Sequence, residues 1–178
     1  MNSKIANYLL FVGAYFPANI FAVEWMAKHI AGRIDRKILV VGSGMDRLVS
    51  LQSEGLEVRG RVEELGPYYE LADAVLLPIF FGTGMCTKTV EALRFGKALI
   101  ASPLSLRGLP LPLPAGIKIC GSADDWRAAC TGPHPNWGEW GRLNQEYCRA
   151  HLSFESKIVR FRQMLGADAK DDRVSQAI

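Results

Sequence analysis

Apolar and polar positions along this chain switch repeatedly between two periods. Tyr8 to Val12 (YLLFV) is an unbroken apolar run of strand length, and the following NIFAVEWMAKHIAGR places Ile20, Val23, Met26, Ala27 and Ile30 on one helical stripe. KILVVG at 37–42 returns to a strand. The change repeats as a helix near Met45 to Ser53, a strand LEVRG at 56–60, a helix PYYELADA at 67–74 and a strand AVLLPIF at 74–80. A helix KTVEALRF at 88–95, a strand ALIAS at 98–102, a proline-rich loop RGLPLPLPAG, a strand IKIC at 117–120 and a helix ADDWRAAC at 123–130 complete the series. Six short strands alternating with helices predict a parallel sheet wrapped on both faces, a single three-layer α/β domain.

The pattern changes beyond Cys130. TGPHPNWGEW at 131–140 reads as a glycine, proline and tryptophan loop, followed by two helical stretches, GRLNQEYCRAHL and FESKIVRFRQML. The expected domain covers 1–165, and 166–178 reads as a polar, frayed tail. Trp137 and Trp140 so near the end suggest either a docking surface or packing against the domain's own sheet.

Length and composition narrow the choice of partner. With 178 residues, 49% of them hydrophobic, the chain can close one sizeable core. A net charge of +3 gives no argument for a nucleic-acid or membrane surface, but leaves room for a small anion. Residues 5–23 carry no formal charge, so a membrane span or leader has to be weighed; Asn7, Gly13, Pro17 and Asn19 break that run and Glu24 closes it. The four cysteines form no CxxC pair and the three histidines stand at no metal-ligand spacing to them, which predicts reduced thiols, a cytoplasmic protein and no metal site.

In an open parallel sheet the ligand lies beyond the carboxyl ends of the strands, which directs attention to the loops leaving each strand. GAYFPAN combines Gly13 with a helix start at Asn19. VGSGMDR opens like a dinucleotide fingerprint, but Arg47 stands where the third glycine belongs. RGRVEEL carries Arg61 and Val62, whose backbone could read a base edge or simply turn. FGTGMCTKTVEALRFGK joins Gly82, Thr83, Gly84 and Thr87 to a helix start, where backbone N–H groups can hold an anion. Lys88 falls in the first turn of that helix, which is unfavourable to the helix dipole unless an anion is present, and Glu91 follows on the same side. An ordinary turn with a surface Lys–Glu pair accounts for the same letters.

As an ordered series, FVGAYFPANIFAVEW, ILVVGSG, VRGRVEELGPYYELADAVLLPIFFGTGMCTKTVEALRFGKALIAS and RGL resemble the C-terminal donor-binding domain of the GT-B glycosyltransferases of the group 1 type. The resemblance implies a Rossmann-like domain that binds a nucleoside-diphosphate sugar, with no metal, for retaining transfer. It implies that Glu91 holds the ribose hydroxyls, that Gly13 and the stretch from Gly82 to Lys88 face the diphosphate, that Lys88 neutralises the leaving group, and that Arg61 and Val62 meet the base. Thr83 stands where many relatives carry a second glutamate, Cys86 where a related subset has arginine, and the first loop lacks the family's basic pair. GT-B enzymes have two such domains, so the resemblance also implies an acceptor domain, carried elsewhere or on a separate chain. A non-catalytic nucleotide- or partner-binding module and a nucleotide-sugar epimerase are the competing readings.

Overall fold

The computed structural model describes residues 8–131, 136–153, 156 and 158. Its strands are β1 (Tyr8–Val12), β2 (Lys37–Val41), β3 (Leu56–Arg59), β4 (Ala72–Leu77), β5 (Ala98–Ala101) and β6 (Ile117–Ile119). Its helices are α1 (Pro17–His29), α2 (Gly66–Leu71), α3 (Thr87–Arg94), α4 (Ala123–Cys130) and α5 (Trp137–Leu152). All strand pairs are parallel, in the order β3-β2-β1-β4-β5-β6. This is the six-stranded parallel α/β sheet that the alternation of periods predicts, and the Rossmann-like domain that the resemblance implies.

Successive residues of a strand face opposite ways, and β1 shows how this builds two cores. Leu9 and Phe11 join Met26, Ile38, Val40 and Trp126 beneath α1 and α4, whereas Tyr8, Leu10 and Val12 join Leu39, Tyr69, Leu93 and Tyr147 beneath α2, α3 and α5. A strand buried on both faces has no use for polar positions, which is why YLLFV, ILVV and AVLL are unbroken apolar runs.

Several boundaries differ from the sequence reading. The helix expected from Met45 to Ser53 is a 3-10 segment, Met45–Leu51, entered through Gly44 at φ 76. The helix expected over 67–74 stops at Leu71, because Ala72 and Ala74 pair with Tyr8 and Leu9 of β1 and are buried there. α1 starts at Pro17, two residues before Asn19, with the proline at a first-turn position where a missing N–H costs nothing. α5 starts inside the expected loop, where the Asn136 side chain accepts from the Glu139 N–H. Trp137 and Trp140 are consequently helical, meet edge-to-face at 5.7 Å and pack against the first core, so these two rings belong to the domain itself. The remaining expected loop residues, 132–135, the second C-terminal helix at 154–165 apart from Ser156 and Ile158, and the tail at 166–178 lie outside the described residues. Among the described residues no helix is long and apolar enough to cross a membrane.

Candidate functional site at the switch point of the sheet

The connection leaving β1 runs toward β2, and the one leaving β4 runs toward β5, although β1 and β4 are neighbours. Their outgoing loops therefore part at the carboxyl edge and leave a crevice between them. The loop from Gly13 to Phe16 leads into one wall, lined by Ala18 and Asn19 at the start of α1, and Phe81 to Lys88 line the other.

Three short contacts fix the first wall. The Gly13 N–H donates to Val41 O at 3.0 Å, the Tyr15 N–H to Ser43 O at 2.9 Å and the Gly42 N–H to Gly60 O at 3.2 Å, tying the loops after β1, β2 and β3 into one rim. Gly42 is what allows this approach: at φ +153, a Cβ there would lie 1.9 Å from Gly13 O. The glycines of VGSG thus serve packing between loops, which accounts for the incomplete fingerprint.

The second wall is held from behind. Ser102 Oγ donates to Ile79 O at 2.5 Å, Ser105 Oγ to Ser102 O at 2.7 Å, and Thr89 Oγ1 to Ser105 O at 2.7 Å, so the segment after β5 anchors both ends of the glycine loop. Gly82 and Gly84 adopt φ +126 and +76, values that suit glycine. Arg107 donates to Gly82 O at 3.1 Å and Gly84 O at 2.8 Å, drawing those carbonyls to its guanidinium. The first turn of α3, like those of α1 and α2, carries no side-chain cap, whereas α4 and α5 are capped by Ser122 and Asn136.

Asn19, Phe81, the stretch from Gly82 to Lys88, and Arg107 enclose an open cleft of about 200 Å³. Lys88 crosses it to the opposite wall: its Nζ donates to Asn19 Oδ1 at 2.5 Å and lies 5.5 Å from the centre of the Phe11 ring. Asn19 is buried and donates its own Nδ2 to Ala14 O at 2.7 Å, which fixes its oxygen toward the lysine. Gly13 lies beneath the Asn19 amide, where an added Cβ would meet it at 2.9 Å. Burial lowers the Lys88 pKa, with Cys86 and Glu91 acting in the opposite direction. Among the described residues no carboxylate makes an ion pair with Lys88.

Glu91 sits one turn further along α3, where its carboxylate accepts from the Tyr69 hydroxyl at 3.0 Å. Tyr69 is fully buried and stacks on Phe95 at 4.3 Å; burial first, then the Glu91 charge and hydrogen bond, push its hydroxyl far above the ordinary tyrosine pKa. Glu91 therefore faces a committed donor and retains lone pairs for another.

The structure thus brings Gly82, Thr83, Gly84, Thr87 and Lys88 into one cleft, whereas Gly13, against the far side of the Asn19 amide, and Glu91, one turn along α3, do not line it. Arg61 and Val62 lie further along the same sheet end, in the loop after β3: Arg61 is exposed, and Val62 packs against the core that holds Tyr69. The sequence reading assigned no role to Asn19 as a partner of Lys88 or to Tyr69, and Arg107 entered only as the first letter of the RGL stretch. All four cysteines are unpaired.

Residues 6–131 match the sequence profile of the family described as glycosyl transferases group 1. No curated protein sequence matches the chain. Among solved structures, sucrose-phosphate synthase from Thermosynechococcus elongatus superposes with a TM-score of 0.67 at 20% identity, covering 92% of this chain and 46% of its own. TarM superposes at 0.68 with 13% identity, over 91% of this chain and 37% of its own. HepE of Anabaena, in complex with UDP and glucose, superposes at 0.66 with 11% identity, over 91% of this chain and 49% of its own. The chain spans less than half the length of each of these structures, and the likeness is one of fold.

Proposed function

We propose that this chain, which belongs to the group 1 glycosyltransferases, holds the nucleoside-diphosphate sugar from which a glycosyl group is transferred. The observation that carries the reading is Lys88: a half-buried cation spanning a cleft at the sheet's switch point, met by an amide oxygen and an aromatic ring and by no counter-ion among the described residues. Burying a charge costs several kcal/mol unless a partner offsets it, so the missing partner is an anion that arrives with the ligand. The uncapped first turn of α3 and the Arg107 guanidinium add positive potential on the same cleft. A diphosphate fits this chemistry.

In this reading Lys88 and the N–H groups from Thr83 to Thr87 neutralise the charge that develops on the departing diphosphate, and Glu91 accepts from the ribose hydroxyls. Arg107 supplies the cation that Cys86 and the first loop do not. The positive charge comes from the protein, so the step needs no metal. Retention of anomeric configuration follows from the resemblance, as does an acceptor held by a second domain or a separate chain. The complex of HepE with UDP and glucose shows one fold neighbour with a nucleotide in place.

The test is a thermal melt against uridine, guanosine and adenosine diphosphates, their sugars and the bare nucleosides. A ligand that binds only the native state at 100 times its Kd adds about 2.7 kcal/mol, which moves the melting point by several degrees. We expect one base to stand out, with its diphosphate and sugar forms raising the midpoint and its nucleoside doing little. Identical melts in every arm would contradict the proposal.

A further inference from the structure

The lysine that spans the cleft depends on a residue from the other wall. We propose that Asn19 is the positioning residue of Lys88, and that its neutrality is what keeps the lysine available to an incoming anion; this rests on the reading of the cleft as a phosphate site. Asn19 is 8% exposed, donates to Ala14 O and accepts from Lys88 Nζ, so its amide can take only one orientation without losing a bond. It lies directly on Gly13, and that contact leaves no room for a side chain at position 13. The ammonium is therefore held at one point by the oxygen end of a fixed amide dipole and by the Phe11 ring.

A carboxylate at position 19 would hold the ammonium more strongly, yet it would give Lys88 a permanent counter-ion. An anionic ligand would then have to displace that ion pair and meet a like charge across the cleft. An amide positions the lysine without neutralising it. Glu91, the nearby carboxylate, already accepts from the Tyr69 hydroxyl, and it does not make an ion pair with Lys88. Burial lowers the Lys88 pKa in spite of the opposing influence of Cys86 and Glu91, which agrees with a cation that has no ion-pair partner at close range.

The experiment measures binding of inorganic pyrophosphate, a nucleoside diphosphate and its nucleoside to the purified chain and to Asn19→Asp, Asn19→Ala, Lys88→Ala and the Asn19→Ala/Lys88→Ala double variant. We expect Asn19→Asp to weaken pyrophosphate and diphosphate by about tenfold or more, the scale of one charge-assisted hydrogen bond. Nucleoside affinity should stay at the parent value. Asn19→Ala should show a smaller loss for the same two ligands, and that loss should vanish in the Lys88→Ala background, since a residue acting only through the lysine has nothing left to position. Parent-like pyrophosphate binding by both Asn19 variants overturns the proposal, as does an Asn19→Ala loss that persists without Lys88 or extends equally to the nucleoside. Melting each variant identifies any that fails to fold, in which case the other Asn19 substitution decides. A parent that binds pyrophosphate through Lys88 but binds no nucleoside diphosphate more tightly refutes the donor reading and leaves the Asn19 arm intact. Equal pyrophosphate affinity in the parent and Lys88→Ala refutes both.

Discussion

At the scale of single residues, Lys88 meets a neutral acceptor across the cleft, and Glu91, one turn along α3, meets a committed donor. Glu91→Ala should weaken nucleoside-diphosphate binding by roughly 1–3 kcal/mol, the usual loss for a charged hydrogen-bond partner. A 2′,3′-dideoxy nucleotide on the unaltered chain should show a loss of the same size, and calorimetric affinities equal to the parent's would remove the ribose role. Tyr69→Phe removes the donor that Glu91 now accepts from, while the ring and its stack on Phe95 remain. We expect a stability loss of about 1 kcal/mol in denaturant titration, and a loss well above that would show a further bond at the hydroxyl. Gly82, Gly84, Lys88 and Glu91 were legible as candidates because they sit within one short stretch and each answers a local question of φ, charge or helix position. The partners of the site were not. Lys88 meets Asn19 across 69 residues, Arg107 reaches Gly82 across 25, and Tyr69 reaches Glu91 across 22, so no local pattern records the pairing.

At the scale of elements, the apolar runs of the buried strands carried the fold, and the errors fell where propensity and tertiary pairing compete. PYYELADA reads as a helix to its end, but burial of Ala72 and Ala74 against β1 converts its last residues to strand. TGPHPNWGEW reads as a loop, but the Asn136 cap and the packing of Trp137 and Trp140 on the core begin a helix inside it. The loops that carry the site depend on glycines at their closest approaches. Gly42→Ala brings a methyl group to 1.9 Å from Gly13 O at φ +153, so the loops after β1 and β2 must separate. We expect a cost of about 2 kcal/mol or more, from backbone strain and overpacking together, read as a lower denaturant midpoint at unchanged slope. Gly82→Ala has open space around it and strains only the backbone, so its cost should be smaller while its effect on diphosphate binding is larger. A Gly42 variant as stable as the parent would show that the rim can spread without loss.

At the scale of the whole molecule, the order β3-β2-β1-β4-β5-β6 places the cleft where the connections leaving β1 and β4 part. Phe16 is 66% exposed, Phe21 43% and Phe81 44%, with Phe21 and Phe81 in edge contact at 5.5 Å beside the cleft. On the proposed reading the isolated 178-residue chain binds its donor and transfers nothing at a useful rate, because proximity to the acceptor and exclusion of water need the opposite wall. A coupled assay for released nucleoside diphosphate, run over a panel of donors and acceptors, should stay at background; robust acceptor-dependent release would contradict that expectation. The fold and its order of loops were legible in the sequence, whereas the meeting of β1 and β4 that makes a crevice between distant loops emerged only from the topology. The most direct test of the central claim, that Lys88 awaits the diphosphate of a nucleotide, is calorimetric titration of the parent and Lys88→Ala with a nucleoside diphosphate and with its nucleoside. We expect the substitution to cost the diphosphate about 1.5–3 kcal/mol and the nucleoside nothing measurable. Equal losses for the two ligands, or none for either, would contradict it.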